Sequence, residues 1–300
     1  ADRIAIMKDG IIEQLDTPAD IVLNPKTEYV RKFTQEVPRE KVLKIEAVMD
    51  KSSEGQNADN ITVSKDAIIE TVAEKILSQE KSVAVVDNDN NKVGIINPTK
   101  IIAVGLNYHD HAQEMKKKPP KEPMIFLKSP SSLTGPYNEI FLPNHMSSKI
   151  DYECELVIII SKEAKWVSVE ESHKYILGAI CINDVTARDL QAIDIQFGRG
   201  KNFDTFCPVG TIISDEIDYQ NVKIKTIVNG ETKQESDTSN MVHNIIFLIS
   251  YISKVMTLNK GDLILTGTPG GVGQLNNGDT VSVRIEGLSE TKNKVSLRVE

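Results

Sequence analysis

The stretch Asp151-Tyr152-Glu153-Cys154-Glu155-Leu156-Val157-Ile158-Ile159-Ile160 decides how the rest of the chain is read. β-Branched residues crowd its second half, which predicts a strand, and in a strand residues two apart face the same way. Glu153 and Glu155 are therefore expected side by side, with Cys154 turned to the opposite, buried face. Two carboxylates held that close repel, so they need a shared proton or a cation between them, and a divalent metal answers that need. An exposed strand face that happens to carry two acids shows the same spacing. A second short apolar run, Ile180-Cys181-Ile182-Asn183-Asp184, also ends in a carboxylate, and Asp184 could complete a three-oxygen site.

Around this centre the composition is that of a globular chain. It has 300 residues, 40% of them hydrophobic, enough for one large domain or two. A net charge of -8 argues against a general nucleic-acid or anionic-membrane surface, since both need clustered Lys and Arg. The tight basic run Lys116-Lys117-Lys118 reads as a solvated face. Three cysteines, Cys154, Cys181 and Cys207, show no C-x-x-C spacing, which favours a reducing, cytoplasmic interior over a disulfide frame or a structural zinc site. No apolar run reaches the ~20 residues that span a bilayer, and the N-terminus, which opens on Ala1, lacks a charged-then-apolar signal pattern.

Hydrophobic periodicity makes the chain mostly β from residue 100 onward. Strands are expected at 101–104, 124–126, 139–142, 156–160 and 177–182. A hairpin over 222–236 turns at Asn229-Gly230, and strands at 263–265 and 280–285 close the sheet. Helices are expected at 109–117, ended by Pro119-Pro120, at 169–175, and at 240–255, where Ile245, Leu248, Ile249, Ile252 and Val255 form one stripe. On the first of these, His111 and Glu114 are three apart and face the same way. A carboxylate beside an imidazole raises its basicity, as water activation requires, although an ordinary helix-surface pair has the same spacing. His109 falls on the other side of that helix. A nucleophilic cysteine is the rival chemistry and is set aside: Cys154 faces the core, and Cys207, before Pro208, has no histidine paired with it in sequence.

Five ordered segments carry a resemblance to a known family. They are Val104-Gly105-Leu106-Asn107-Tyr108 with Asp110-His111-Ala112-Gln113-Glu114; Asp151-Tyr152-Glu153-Cys154-Glu155-Leu156; and Asn183-Asp184-Val185-Thr186-Ala187-Arg188-Asp189-Leu190-Gln191. They continue with Lys201-Asn202-Phe203-Asp204-Thr205-Phe206-Cys207-Pro208-Val209-Gly210, and with Gly261-Asp262 through Thr266-Gly267-Thr268-Pro269-Gly270-Gly271-Val272-Gly273. From about residue 100 to the C-terminus the chain resembles the fumarylacetoacetate hydrolase family.

The resemblance implies an α+β fold, a mixed β-roll of that family's C-terminal domain type, with metal-bearing strands at its mouth. It implies Glu153, Glu155 and Asp184 as metal ligands, a hard oxygen set suited to Mg2+, with Mn2+ or Ca2+ as alternatives. Asp151 and Asp189 are expected to be structural. His111 and Glu114 match a lid pair that deprotonates the attacking water, and Lys201 matches an ammonium that stabilises developing negative charge. Gln191, Thr268 and Arg188 are the expected substrate-binding residues, with Lys128 a further contact to a substrate carboxylate. The implied activity is metal-dependent hydrolysis of a C–C bond in a β-diketo or 2-oxo acid, through a metal-bound enolate. An acylpyruvate or a fumarylacetoacetate-like substrate of aromatic-compound catabolism fits. An oxaloacetate-type decarboxylase and a 2-hydroxyhepta-2,4-diene-1,7-dioate-type isomerase are alternatives on the same site, and a homodimer is expected from the family alone.

The first hundred residues read differently. Residues 2–14 suggest two short strands around Asp9-Gly10, and Thr17-Pro18 a helix start. Residues 1–47 resemble the tail of an osmolyte ABC-transporter ATPase subunit, but no G-x-x-x-x-G-K-[ST] is present, so ATP hydrolysis by that route is excluded. Residues 48–98 resemble a single CBS motif, with a polar link at 51–57, a strand at 61–63, a helix over 66–79 and strands at 82–87 and 92–96 around a turn at 88–91. Paired CBS motifs commonly bind adenine nucleotides. A nucleotide-sensing regulatory or transporter-associated protein is therefore the other class of function, and a fused remnant is the plainer reading. The expected organisation is a small α/β N-terminal region, 1–47 and 48–98, before a catalytic domain at 99–300.

Overall fold

The computed structural model describes residues 4–8, 11–17, 21, 25–34, 59–64, 83–86, 92–96, 100–210, 214, 217–288 and 290–298. The chain divides into two compact units, residues 1–98 and 99–300. In the first, β1 (Ile4–Lys8) and β2 (Ile11–Asp16) pair antiparallel and α1 (Glu28–Thr34) follows. Ile6, Ile21 and Val30 form an apolar cluster there. In β3 (Asp59–Ser64), β4 (Val83–Val86) and β5 (Lys92–Ile96) the central β4 runs parallel to β3 and antiparallel to β5. The expected turn at Asp9-Gly10, helix start at Pro18, link at 51–57, helix over 66–79 and turn at 88–91 lie outside the described residues.

The second unit runs β6 (Ile101–Gly105), α2 (His109–Glu114), β7 (Met124–Lys128), β8 (Leu133–Thr134), β9 (Ile140–Leu142), β10 (Ile150–Tyr152), β11 (Cys154–Ile160) and β12 (Ile176–Asn183). It continues through β13 (Thr186–Ala187), α3 (Arg188–Ile193), α4 (Gly198–Lys201), β14 (Cys207–Pro208), β15 (Lys223–Val228) and β16 (Glu231–Asp237). The last elements are α5 (Ile245–Val255), β17 (Leu263–Leu265), β18 (Gly273–Gln274), β19 (Thr280–Ile285) and β20 (Thr291–Leu297). One mixed sheet has the order β12-β11-β17-β6-β7, with β17 parallel to β6; a second has the order β16-β15-β19-β20-β9, with β20 parallel to β9. A short third sheet has the order β13-β10-β18. The architecture is α+β, with few helices and several mixed sheets, as expected.

Strand β11 explains why its sequence is so uniformly apolar: every residue in it is buried, because both faces are covered. Cys154, Leu156, Ile158 and Ile160 face a core that α5 closes with Ile245, Leu248, Ile249 and Ile252. Val157 and Ile159 face a second core with Ile101, Ile180, Ile182, Leu263 and Leu265. Burying each such Ile or Leu stabilises the fold by about 2 kcal/mol relative to exposure. Glu155 shares the Val157 face by alternation, and so is carried indoors.

The hairpin expectation holds in detail, since Asn229 and Gly230 both take positive φ, 51° and 86°, the condition for a two-residue turn matched to strand twist. Other expectations need correction. Helix α2 ends at Glu114, because Lys116 turns left-handed at φ 53° before Pro119 is reached. Of 169–175 only Ser172–Tyr175 winds, as a 3-10 turn. Helix α5 starts at Ile245, where the Asn244 side chain accepts from the Phe247 N–H at 3.0 Å, and Val255 is exposed. Strands β17 and β19 lie in different sheets and do not close one. No described helix is long and apolar enough to cross a membrane.

Candidate active site

The expected single strand breaks where the chemistry is. β10 ends at Tyr152 in one sheet and β11 begins at Cys154 in another, so Glu153 stands at the crossing. Its backbone has left the ladder. The Glu153 N–H donates to Asn183 Oδ1 at 2.9 Å, and its carbonyl accepts from the Asp184 N–H at 2.8 Å. An asparagine side chain thus stands in for a strand partner, and the same tie brings Asp184 beside Glu153. Glu155 lies opposite Ile182 in the β11–β12 register. Carboxylate oxygens of Glu153, Glu155 and Asp184 lie within 4.8 Å of one another, and all three residues are buried.

Cations answer these acids unevenly. Lys201 Nζ donates to Glu153 Oε2 at 2.7 Å and to Asp184 Oδ2 at 2.6 Å. Lys128 Nζ stands 2.7 Å from Asp184 Oδ1, an ion pair without hydrogen-bond alignment, and donates to the Lys201 carbonyl. Arg188 donates to Glu153 Oε1 at 2.6 Å, to Asp151 Oδ2 at 2.8 Å and to Gln191 Oε1 at 2.6 Å. Glu155 has no ion pair among the described residues; its Oε2 accepts from the Gly267 N–H at 2.8 Å.

The proton affinities follow from this. Burial pushes the Glu153 carboxyl up, but Lys201 and Arg188 outweigh it and hold it at about 2. Burial, together with the charge of Asp184, pushes Glu155 well above the carboxylate range. Burial pulls the Lys201 ammonium down, yet Asp184 and Glu153 keep its pKa above the ordinary value. A buried carboxylate with like charges beside it and no cation of its own marks a place that a cation fits. The donors are all oxygen, so the fit is to a hard divalent ion held by Glu153, Glu155 and Asp184, and is poor for zinc.

Around the trio, His111, Arg188, Gln191, Lys201 and Thr268 line one cavity of about 320 Å3. His111 Nδ1 lies 3.2 Å from Glu114 Oε2, and Glu114 is itself fixed by the Gly271 N–H at 3.1 Å. A carboxylate on Nδ1 keeps the proton there and leaves Nε2 free to accept. Gly271 has φ 91°, and a Cβ there would meet the Lys233 carbonyl oxygen at 2.5 Å, so only glycine serves. His109 is exposed. Lys128 is corrected: its side chain is fully buried on Asp184 and does not line the cavity, so it is no contact for a substrate carboxylate. Cys207 is buried, and burial pushes its thiol up to about 12, which disfavours a thiolate nucleophile.

Two features escape sequence reasoning. The outer wall is apolar: the Phe126 ring lies 5.3 Å from Lys201 Nζ and packs edge-on against Phe197 at 5.4 Å, with Met115 and Met124 nearby. Thr268 is held by Gln234, a buried residue of β16 that no motif marks. A larger hollow of about 640 Å3 lies over β15 and β19, but Lys223, Lys225 and Arg284 alternate with Glu235, Glu286 and Glu290 along it, and among the described residues its acids do not gather as the trio does.

A profile of the fumarylacetoacetate (FAA) hydrolase C-terminal region matches residues 100–296. The chain belongs to the fumarylacetoacetate hydrolase family. The mitochondrial oxaloacetate tautomerase Fahd2a of Rattus norvegicus is 43% identical over 212 residues, 67% of this chain and 67% of that one. The solved 5-carboxymethyl-2-hydroxymuconate delta-isomerase from Mycobacterium smegmatis is 44% identical, covers 67% of this chain and 80% of its own, and superposes with a TM-score of 0.63. The 2-hydroxyhepta-2,4-diene-1,7-dioate isomerase from Mycobacterium marinum is 42% identical, with coverages of 70% and 80% and a TM-score of 0.62. The family is one of enzymes. The matched profile begins at residue 100, so the resemblance of residues 1–98 to a transporter tail and a CBS motif draws no support from it.

Proposed function

We propose that the chain is a divalent-cation-dependent enzyme that moves a proton at the carbon beside the keto group of a 2-oxo acid, a tautomerase or isomerase reaction. One observation carries this reading: the acidic trio, Lys201 and His111 open onto the same cavity. Glu153, Glu155 and Asp184 would hold the ion, Mg2+ by preference. Such an ion supplies Lewis-acid polarisation of the oxo acid. His111, with its Nδ1 proton tied to Glu114, offers Nε2 to take the proton from carbon and deliver it to the enolate oxygen in a tautomerase, or to another carbon of the conjugated system in an isomerase. Lys201, locked between Glu153 and Asp184, sets a positive charge where the substrate's oxygen becomes negative. The Phe126 and Phe197 rings keep water from that charge. The isomerase and tautomerase names of relatives above 40% identity support the proton-transfer reading.

Hydrolysis of a C–C bond in a β-diketo acid is the second reading, and one observation favours it. The Glu114 side chain is 39% exposed, so solvent reaches the pair, and an imidazole that takes a proton from carbon can take one from water. The test uses the full chain with Mg2+, following enol-to-keto conversion of oxaloacetate by ultraviolet absorbance and cleavage of an acylpyruvate. His111→Ala is expected to lose about 100-fold in turnover or more while keeping Mg2+ binding by calorimetry. Equal rates in the variant would remove the pair from the mechanism. Cleavage without enol-to-keto conversion would select hydrolysis.

A further inference from the structure

Gln234 is 1% exposed in the middle of β16, and all four hydrogen-bonding positions of its amide are used. Its Oε1 accepts from the Cys154 N–H at 3.0 Å and from the Thr226 hydroxyl at 2.7 Å. Its Nε2 donates to the Pro269 carbonyl at 3.0 Å and to Thr268 Oγ1 at 2.9 Å. The two backbone partners fix which way the amide points, since an N–H only donates and a C=O only accepts. Thr268 Oγ1 is thereby an acceptor toward Gln234, and its own proton is left over. Among the described residues nothing takes that proton, and Thr268 lines the cavity. Gln191 is set the same way: the Arg188 guanidinium, a pure donor, occupies its Oε1 at 2.6 Å and leaves its NH2 to donate.

We infer that Gln234 is a positioning residue that fixes the Thr268 hydroxyl as a donor to the ligand. It thereby selects ligands with an acceptor there, a carboxylate or enolate oxygen, over ligands with an amide or hydroxyl donor. The inference rests on the oxo-acid reading above and deepens it. Through the Cys154 N–H the same amide ties the 266–271 loop to β11 between Glu153 and Glu155, so the donor is held in register with the acidic trio.

Oxalate and oxamate differ by one carboxylate oxygen replaced with NH2, and both can be titrated by calorimetry into the full chain with Mg2+. Gln234→Met keeps the volume and removes all four bonds, which frees the Thr268 hydroxyl to turn and accept. The oxalate-to-oxamate affinity ratio is expected to fall about tenfold, the worth of one hydrogen bond to a charged group. Thr268→Val is expected to lower the ratio equally, and Thr268→Ser to restore it. A purely structural Gln234 would weaken both ligands alike, so an unchanged ratio in Gln234→Met overturns the inference. Where that variant does not fold, the Val and Ser variants of Thr268 decide, and equal ratios in the two overturn it. If neither compound binds the unaltered chain, the oxo-acid reading falls first and takes the inference with it.

Discussion

Tyr108 is fully buried, yet its hydroxyl has no hydrogen-bond partner. Burial, with Cys154 and Glu155 adding to it, pushes that phenol's pKa well above its usual value. A buried unsatisfied hydroxyl costs about 1–3 kcal/mol. Tyr108→Phe keeps the ring in the core and deletes the group, so denaturant titration is expected to show a gain of about 1 kcal/mol. A loss would mean that the hydroxyl is bonded in solution. Neither Tyr108 nor Gln234 was legible in this respect, because each is defined by what other segments bring over it. Gln234 is one polar residue within Thr232-Lys233-Gln234-Glu235-Ser236, and only the meeting of β15, β11 and the 266–271 loop buries it. Glu153, Glu155, Asp184 and His111 could be named in advance because their chemistry lies in the side chain and their motif spacing lies in the sequence.

Elements with one buried face announced themselves by period, as the Asn229-Gly230 hairpin and the stripe of α5 did. The break in β10–β11 did not, because it is imposed by Asn183, 30 residues away. The docking of α2 was hidden for the same reason. Its Glu114 is held by a backbone N–H from Gly271, and the glycine is needed there by geometry that only the fold reveals. Gly271→Ala forces a Cβ to within 2.5 Å of the Lys233 carbonyl oxygen at a positive φ. The change is expected to cost about 2 kcal/mol in urea titration, more than an alanine saves through the unfolded chain. Unchanged stability would show that the 266–273 loop can yield.

Across the second unit the decisive quantity is charge at the centre, which composition does not reveal: a net charge of -8 is a sum over the whole chain and hides how the site is balanced. Asp151, Glu153 and Asp184 are met by Arg188, Lys201 and Lys128, which leaves Glu155 as the carboxyl with no ion pair among the described residues, its proton affinity raised by burial and by Asp184. The unit should therefore fold without a cation and gain stability on binding one. A ligand at a hundredfold its Kd that binds only the folded state contributes about 2.7 kcal/mol. In a domain of this size that raises Tm by roughly 5–10 °C. Chelator-treated protein given Mg2+ is expected to show that rise in scanning calorimetry. Folding without the ion forces Glu155 to take up a proton, a cost that Glu155→Gln removes, so without Mg2+ the variant should unfold at a higher temperature than the unaltered chain near neutral pH, and adding Mg2+ should no longer move it. If Glu155→Gln responds to Mg2+ as fully as the unaltered chain does, the ion binds elsewhere and the trio is a buried ion-pair network alone.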